Sequence, residues 1–207
     1  GHLLKNNSER IKSAGYLSTT SVYGDKKGEW VTEDTVLEPK LERSISRVAV
    51  EKLWLKFGED FSIKTVIFRI AGIYGPGRSL IDRLIGNEKI YIVDKPSHLF
   101  NRIHIEDIVG AIEMAMSSQS RNAILNLSDD LPATQLEVAQ FASSLLKKKL
   151  PDTVSLESEV VSEMARSFYQ EEKKVSNKKL KNELGYQLTF PSFKEGLLAI
   201  HKNFKEF

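Results

Sequence analysis

The sequence predicts an α/β layered fold, and three observations carry that expectation. Short runs rich in β-branched and aromatic residues alternate with segments of helical period. One run, residues 64–70 (KTVIFRI), holds Val66, Ile67 and Phe68 in unbroken succession, which suits a parallel strand covered on both faces. Two helical segments open on capping boxes, Thr134 with Glu137 and Ser192 with Glu195, in which hydroxyl and carboxylate satisfy free amides of the first turn.

In chain order, residues 17–23 (LSTTSVY) read as a strand end running into a loop at Gly24-Asp25. A polar loop fills 26–40. A helix begins near Ser44: Ile45, Val48, Ala49, Leu53 and Phe57 recur at helical spacing, and Gly58 stands where it would stop. After the 64–70 strand, Gly72, Gly75, Pro76 and Gly77 make a loop. Ser79 with Asp82 starts a short helix ended by Gly86, and 89–93 is a short strand. Ile105, Ile108, Val109, Ile112 and Met116 mark another helix, with Glu106 and Asp107 in its first turn, where the dipole favours acids. Residues 123–127 form a strand. The helix opened by Thr134 ends in Lys147, Lys148 and Lys149 and is stopped by Pro151. Residues 152–175 are polar and irregular, with one short helix near Glu163. A turn or two of helix over 178–184 closes at Gly185, and Phe193, Leu197, Ile200 and Phe204 stripe a last helix.

Composition narrows the class. The 207 residues are 41% apolar and 28% charged, ordinary for a globular chain and unlike a disordered, collagenous or coiled-coil one. With 30 basic and 28 acidic residues the net charge is +2, and a pI near 8.6 is too mild to indicate nucleic acid. The absence of cysteine excludes disulfides and thiolate chemistry. His2, His98 and His201 lack partners at metal-ligand spacing, so no metal is expected. No apolar run approaches the roughly 18 residues of a membrane span, and no signal peptide is read, so neither a membrane nor a nucleic-acid partner is expected and a cytoplasmic location is the default. The chain opens Gly1-His2-Leu3 and its first Met is Met114, so a fragment of a longer product is expected, although loss of an initiator Met would also expose Gly1.

Residues 17–25 (LSTTSVYGD), 68–78 (FRIAGIYGPGR) and 101–107 (NRIHIED), supported by 175–196 (VSNKKLKNELGYQLTFPSFKEG), resemble in order and spacing the extended and atypical short-chain dehydrogenase/reductases, the NAD-dependent epimerase/dehydratases. The resemblance runs from about Gly15 to the end. It implies a partial doubly wound (Rossmann-like) parallel sheet with a small C-terminal α/β substrate region. Residues 1–207 would form a single domain, with residual strands and helix in 1–75 and the remaining strands, substrate region and terminal helices in 76–207. It also implies NAD(P) as cofactor of the full-length parent. The match starts at what resembles the fourth strand of that sheet, so the glycine turn that cradles pyrophosphate is absent. Gly72-x-x-Gly75-x-Gly77 follows a later strand and resembles the family's substrate side, so NAD(P) binding by this chain alone is not expected.

The family's Tyr-x-x-x-Lys pair, aligned on Glu51, falls on Arg43 and Arg47. The chemistry needs a phenol whose pKa a neighbouring cation lowers, and arginine stays protonated. The family's hydroxyl position falls on Thr19, and its usual asparagine is Gly72. The resemblance thus implies Thr19 and Tyr23 as catalytic candidates and Ser18, Arg47, Ala71 and Ile73 on the cofactor side. Arg43, Tyr74, Arg78 and Arg102 fall on the substrate side. Against these stand plainer readings. Arg43, Arg47 and Glu51 are either a solvated helix face with an Arg47–Glu51 pair, contributing about 0.3–0.5 kcal/mol, or a cationic lip for phosphate or carboxylate. Tyr23 and Tyr74 either replace the lost phenol or pack in the core. His104 and Asp107 cap a helix.

Two functions follow. The first is an NAD(P)-dependent enzyme acting, when full length, on a sugar nucleotide or a similar small hydroxyl or carbonyl compound. The second is a non-catalytic ligand-sensing or partner-binding module that keeps the fold. With its neighbouring strand missing, the strand ending near Ser21 would expose a sheet edge, so either a homodimer through that edge or a second polypeptide supplying the missing residues is expected.

Overall fold

In the computed structural model, residues 11–118 and 123–205 are described. The chain runs β1 (Ser13–Thr19), β2 (Trp30–Val31), α1 (Glu42–Phe61), β3 (Lys64–Ile70), β4 (Gly72–Tyr74), α2 (Leu80–Ile85), β5 (Tyr91–Val93) and β6 (Arg102–His104). It continues with α3 (Ile105–Ser117), β7 (Ala123–Leu127), α4 (Gln135–Leu146), β8 (Asp152–Val154), α5 (Glu163–Phe168), β9 (Lys174–Val175), α6 (Lys178–Asn182) and α7 (Phe193–Lys205).

The central sheet is parallel, in the order β1-β3-β7, with Ser13 opposite Lys64 and Val66 opposite Ala123. Helix α1 connects β1 to β3 and α3 lies between β3 and β7, so the architecture is the α/β layering that the alternation predicts. Strand β3 sits in the middle and is buried from Thr65 to Ile70, which is why its sequence is a continuous apolar run rather than an alternating one. Its carboxyl end, with those of β1 and β7, places Thr19, Ile70 and Leu127 along one rim of the sheet. On its other side β1 pairs with no strand among the described residues, and Leu17 is half exposed there.

Three apolar clusters hold the layers together. Val66, Phe68, Leu125 and Leu127 pack against Ile108 and Ala111 of α3. A second cluster joins α2, α4 and α7 through Ile81, Leu84, Ala142, Leu197 and Ile200. The third is small and joins Val22 and Tyr23 to Val31 and Val175. Each fully buried Ile, Leu or Phe contributes about 1.5–3 kcal/mol.

Several boundaries differ from the sequence expectation, each for a local reason. Strand β1 stops at Thr19, not Tyr23, because the Thr19 hydroxyl accepts the Ser21 N–H and starts a 3-10 turn over Thr20–Tyr23. Helix α1 runs past Gly58 to Phe61 and ends on Ser62 in the left-handed conformation. Gly58 is instead a packing position: a Cβ there would lie 2.3 Å from Thr65 Oγ1. Of the strands in the two-stranded pairs β4–β6, β5–β8 and β2–β9, β5 alone has a counterpart in the sequence reading, at 89–93. Their strands have two or three residues each, too short for a periodic signal.

Candidate functional site

The rim formed by the strand ends opens into a cleft of two lobes. The inner lobe, about 570 Å³, lies against the ends of β1 and β3. The outer lobe, about 480 Å³, lies between α2, β5, α4 and α7. Arg78 lines both. Clefts outside the carboxyl ends of parallel strands are where α/β sheets bind ligands.

The outer lobe has an apolar and cationic lining. Ile90, Ile92, Val138 and Leu197 line it together with Arg78, Arg83 and Arg102. Arg83 pairs with Glu88 at 2.9 Å in solvent, a contact that a competing anion can exchange. The Arg102 guanidinium is fixed by donation to the carbonyls of Phe100 (3.0 Å) and Ala133 (2.8 Å), and has no carboxylate partner among the described residues. Beneath it lies Asp129, 1% exposed, which accepts only the Leu131 N–H at 3.3 Å; burial raises its carboxyl pKa to about 8. Tyr74 lines this lobe with its hydroxyl donating to the Ser192 carbonyl at 3.2 Å. Burial pushes the Tyr74 phenol far above its ordinary range, and its hydroxyl is committed to the Ser192 carbonyl, an environment that suits the packing reading of this residue.

The inner lobe brings together Ser18, Thr19, Arg43, Arg47, Ala71 and Ile73, all proposed from sequence. Thr19 is half-buried; its oxygen accepts from Ser21 N–H, which leaves its own proton to donate. Ser18 donates to Glu51 Oε1 at 2.5 Å. Arg47 is exposed and reaches the Tyr16 hydroxyl at 2.7 Å. Arg43, also exposed, donates to Ser167 Oγ at 2.7 Å and lies 5.3 Å from the Phe168 ring centroid, which tethers α1 to α5 across the lobe. Two expectations are corrected here. The Arg47–Glu51 pair does not form: Glu51 is 2% exposed and pairs with Arg69 at 2.8 Å. Tyr23 lies outside the cleft lining and is fully buried. Its hydroxyl donates to Asn126 Oδ1 at 2.6 Å and accepts from Arg69 at 3.0 Å, and burial raises its pKa, so it is a core residue and not a catalytic one.

His104 Nδ1 accepts the Glu106 N–H at 3.3 Å, the local role expected of it. Asp107 does more than sit in a first turn. It accepts from Tyr186 Oη and from the Thr189 and Phe190 amides, tying the chain before α7 to α3.

Sequence reasoning missed Glu171 and Lys173, which line the inner lobe from a segment read as irregular. Lys173 Nζ donates to Glu171 Oε2 at 3.0 Å and to the Gly24 carbonyl at 2.6 Å, and both side chains are about nine-tenths buried. Burial lowers the Lys173 pKa. A charged doublet in a polar stretch carries no periodicity, so only the fold reveals it.

Two glycines of the cluster after β3 are packing positions: a Cβ at Gly75 would meet Ile105 Cγ2 at 2.5 Å, and one at Gly72 the Asn101 carbonyl at 3.0 Å; Gly77, at φ +74°, serves the turn. In the helix that follows, α2, of six residues, Ser79 Oγ accepts the Asp82 amide and the Asp82 carboxylate accepts the Ser79 and Gly77 amides.

A parallel sheet wound by crossover helices, with a cleft at its strand ends, defines a Rossmann-like α/β protein. Residues 3–128 match the NAD dependent epimerase/dehydratase family, and the chain belongs to that family. Among similar proteins, dTDP-D-glucose 4,6-dehydratase of Dictyostelium discoideum is 25% identical over 149 residues, which cover 63% of this chain and 34% of that one. Protein YeeZ of Escherichia coli (strain K12) is 28% identical over 187 residues, 89% of this chain and 61% of that one. The chain therefore spans between a third and three fifths of these relatives. Of solved structures, a functionally unknown conserved protein from Silicibacter pomeroyi superposes with a TM-score of 0.90 at 37% identity, over 98% of this chain and 71% of that one. UDP-glucuronic acid 4-epimerase from Bacillus cereus, solved with UDP-glucuronic acid and NAD, superposes with a TM-score of 0.78 at 21% identity, over 99% and 65%, and so shares the fold. Among the described residues no helix is long and apolar enough to cross a membrane.

Proposed function

We propose that this chain is the substrate-holding part of a sugar-nucleotide-binding member of its family. In this reading the outer lobe takes the nucleoside diphosphate and the inner lobe takes the sugar. The observation that carries it is Arg78, a guanidinium at the junction of an apolar-lined lobe and a hydroxyl-lined one. A nucleotide sugar has the same layout: a flat base, a doubly charged linker, a polyhydroxyl ring. Arg78 and Arg102 can meet the linker's phosphates with planar donors, the geometry in which arginine exceeds lysine. Thr19 can donate to a substrate oxygen at the inner end. The kinship with a dTDP-D-glucose 4,6-dehydratase supports the ligand class.

A second reading, binding without redox chemistry, is favoured by one observation: no tyrosine lines the inner lobe among the described residues. Arg43 and Arg47 stand there instead, and a guanidinium does not release its proton.

Calorimetry tests the first reading. UDP and UDP-glucose are expected to bind the chain, Arg78→Ala is expected to weaken both by about 10-fold or more, and NAD is expected not to saturate it. Failure of UDP to bind the unaltered chain refutes the assignment of the outer lobe. Tight NAD binding refutes the account of the glycine cluster.

A further inference from the structure

We propose that Glu171 is the hydroxyl acceptor of the inner lobe, held in place by Lys173, and that it makes the site discriminate a nucleotide carrying a sugar from the bare nucleotide. This rests on the sugar-nucleotide reading above and names the residue that would recognise the sugar.

Three observations converge on it. Glu171 lines the inner lobe along with Thr19 and Arg43, while its side chain is 10% exposed. Among the described residues one of its carboxylate oxygens is engaged: Oε2 accepts from Lys173, while Oε1 is buried with no donor. A buried, unpaired carboxylate oxygen is costly, and a ligand hydroxyl supplies the missing donor without a second charge.

The third observation is rigidity. Residues 172–175 are pinned on two sides. The Glu172 amide donates to Asp25 Oδ1 (2.9 Å), and its carbonyl accepts from the Lys26 and Gly28 amides. Asn101 donates to the Lys173 carbonyl and accepts the Val175 amide. Strand β9 then pairs with β2. A carboxylate carried by so fixed a segment keeps its position when the ligand arrives, which is what recognition of one hydroxyl requires. Lys173 acts through Glu171 and is a positioning residue. Its ammonium, held between the Gly24 carbonyl and Glu171 Oε2, keeps the carboxylate oriented.

The experiment compares UDP-glucose with UDP by calorimetry for the unaltered chain, Glu171→Gln and Arg78→Ala, with thermal melts to verify folding. Glu171→Gln keeps the shape and removes the charge. It is expected to lower UDP-glucose affinity about 10-fold or more and to leave UDP affinity unchanged within about 2-fold, because a hydrogen bond to a charged acceptor is worth more than a neutral one. Arg78→Ala lowers both. If UDP binds and Glu171→Gln weakens UDP-glucose no more than UDP, the role of Glu171 is overturned and the outer-lobe reading survives. If UDP itself fails to bind, both fall. Should Glu171→Gln melt far below the unaltered chain, Glu171→Asp, which withdraws the carboxylate by one methylene, must show the same selective loss; an equal loss for both ligands overturns the proposal.

Discussion

Glu51→Ala tests the buried ion pair that underlies the inner lobe. Glu51 accepts from Ser18 Oγ at 2.5 Å and from Arg69 through Nε (3.2 Å) and Nη2 (2.8 Å). The Arg69 and Glu51 side chains are each 3% exposed, so water cannot replace a lost partner. Without the carboxylate Arg69 retains the Tyr23 hydroxyl and the Glu33 carbonyl, neither of which neutralises it. An uncompensated buried charge costs about 3–5 kcal/mol. For a chain of this length, at about 2–4 °C per kcal/mol, the melting temperature should fall by roughly 6–20 °C. Urea unfolding followed by circular dichroism measures the loss directly. The companion variant Glu51→Leu with Arg69→Met removes both charges, and it should recover most of the stability, because most of the single variant's loss comes from the orphaned guanidinium. A single-variant loss under about 1 kcal/mol, or a double variant as unstable as the single, would show that the charge is not buried as described.

Three further outcomes are expected. Gly58→Ala forces a Cβ to 2.3 Å from Thr65 Oγ1 and 2.8 Å from the Ile63 carbonyl, so it should destabilise by about 1–3 kcal/mol despite alanine's better helix propensity; a stabilised variant in urea unfolding would contradict the close approach of α1 to β3. Asp129 has its folded pKa raised to about 8 by burial, above its unfolded value, so the native state holds the extra proton and stability falls as pH rises from about 4 to 8. Asp129→Asn should flatten that slope, and parallel stability profiles for the two proteins would remove Asp129 as its source. Among the described residues β1 has no partner on its second side, so pairing through this edge is proposed: static light scattering should show Leu17→Lys shifting the chain toward monomer, and a monomeric unaltered chain excludes it.

The central sheet is legible in the sequence where burial writes itself into composition. Strand β3 is covered on both faces and reads as a solid apolar block, and its bounds and those of β7 match the expectation from sequence. The capping box at Thr134 is equally plain, since hydroxyl and carboxylate stand three residues apart; at Ser192 the hydroxyl donates to Glu195 but accepts the Lys194 amide instead of the Glu195 one, and Ser79 with Asp82, read as a helix start, forms a full box. What stays hidden depends on distant parts of the chain. Gly58 looks like a helix stop until Thr65 is placed against it. Glu51 looks like half of a surface pair with Arg47 until Arg69 arrives from the next strand. Tyr23 looks like a rim residue until Asn126 takes its hydroxyl from more than a hundred positions away. Of the cleft, the end of β1 and the loop after β3 are readable through motif resemblance. The wall supplied by Glu171 and Lys173 has no local signature, because paired opposite charges are common on any polar stretch.

Lys173 reaches back to the Gly24 carbonyl, and Glu172 to Asp25. The inner lobe is thus closed by a stitch between positions about 150 apart, late in synthesis as well as in sequence. A growing chain that has already laid down β1, β3 and β7 still lacks one side of its cleft until residue 173 leaves the ribosome. Closing so long a loop is slow compared with forming the helices. The cavity belongs to the finished molecule, and a nascent polypeptide released before the stitch would carry the sheet without it.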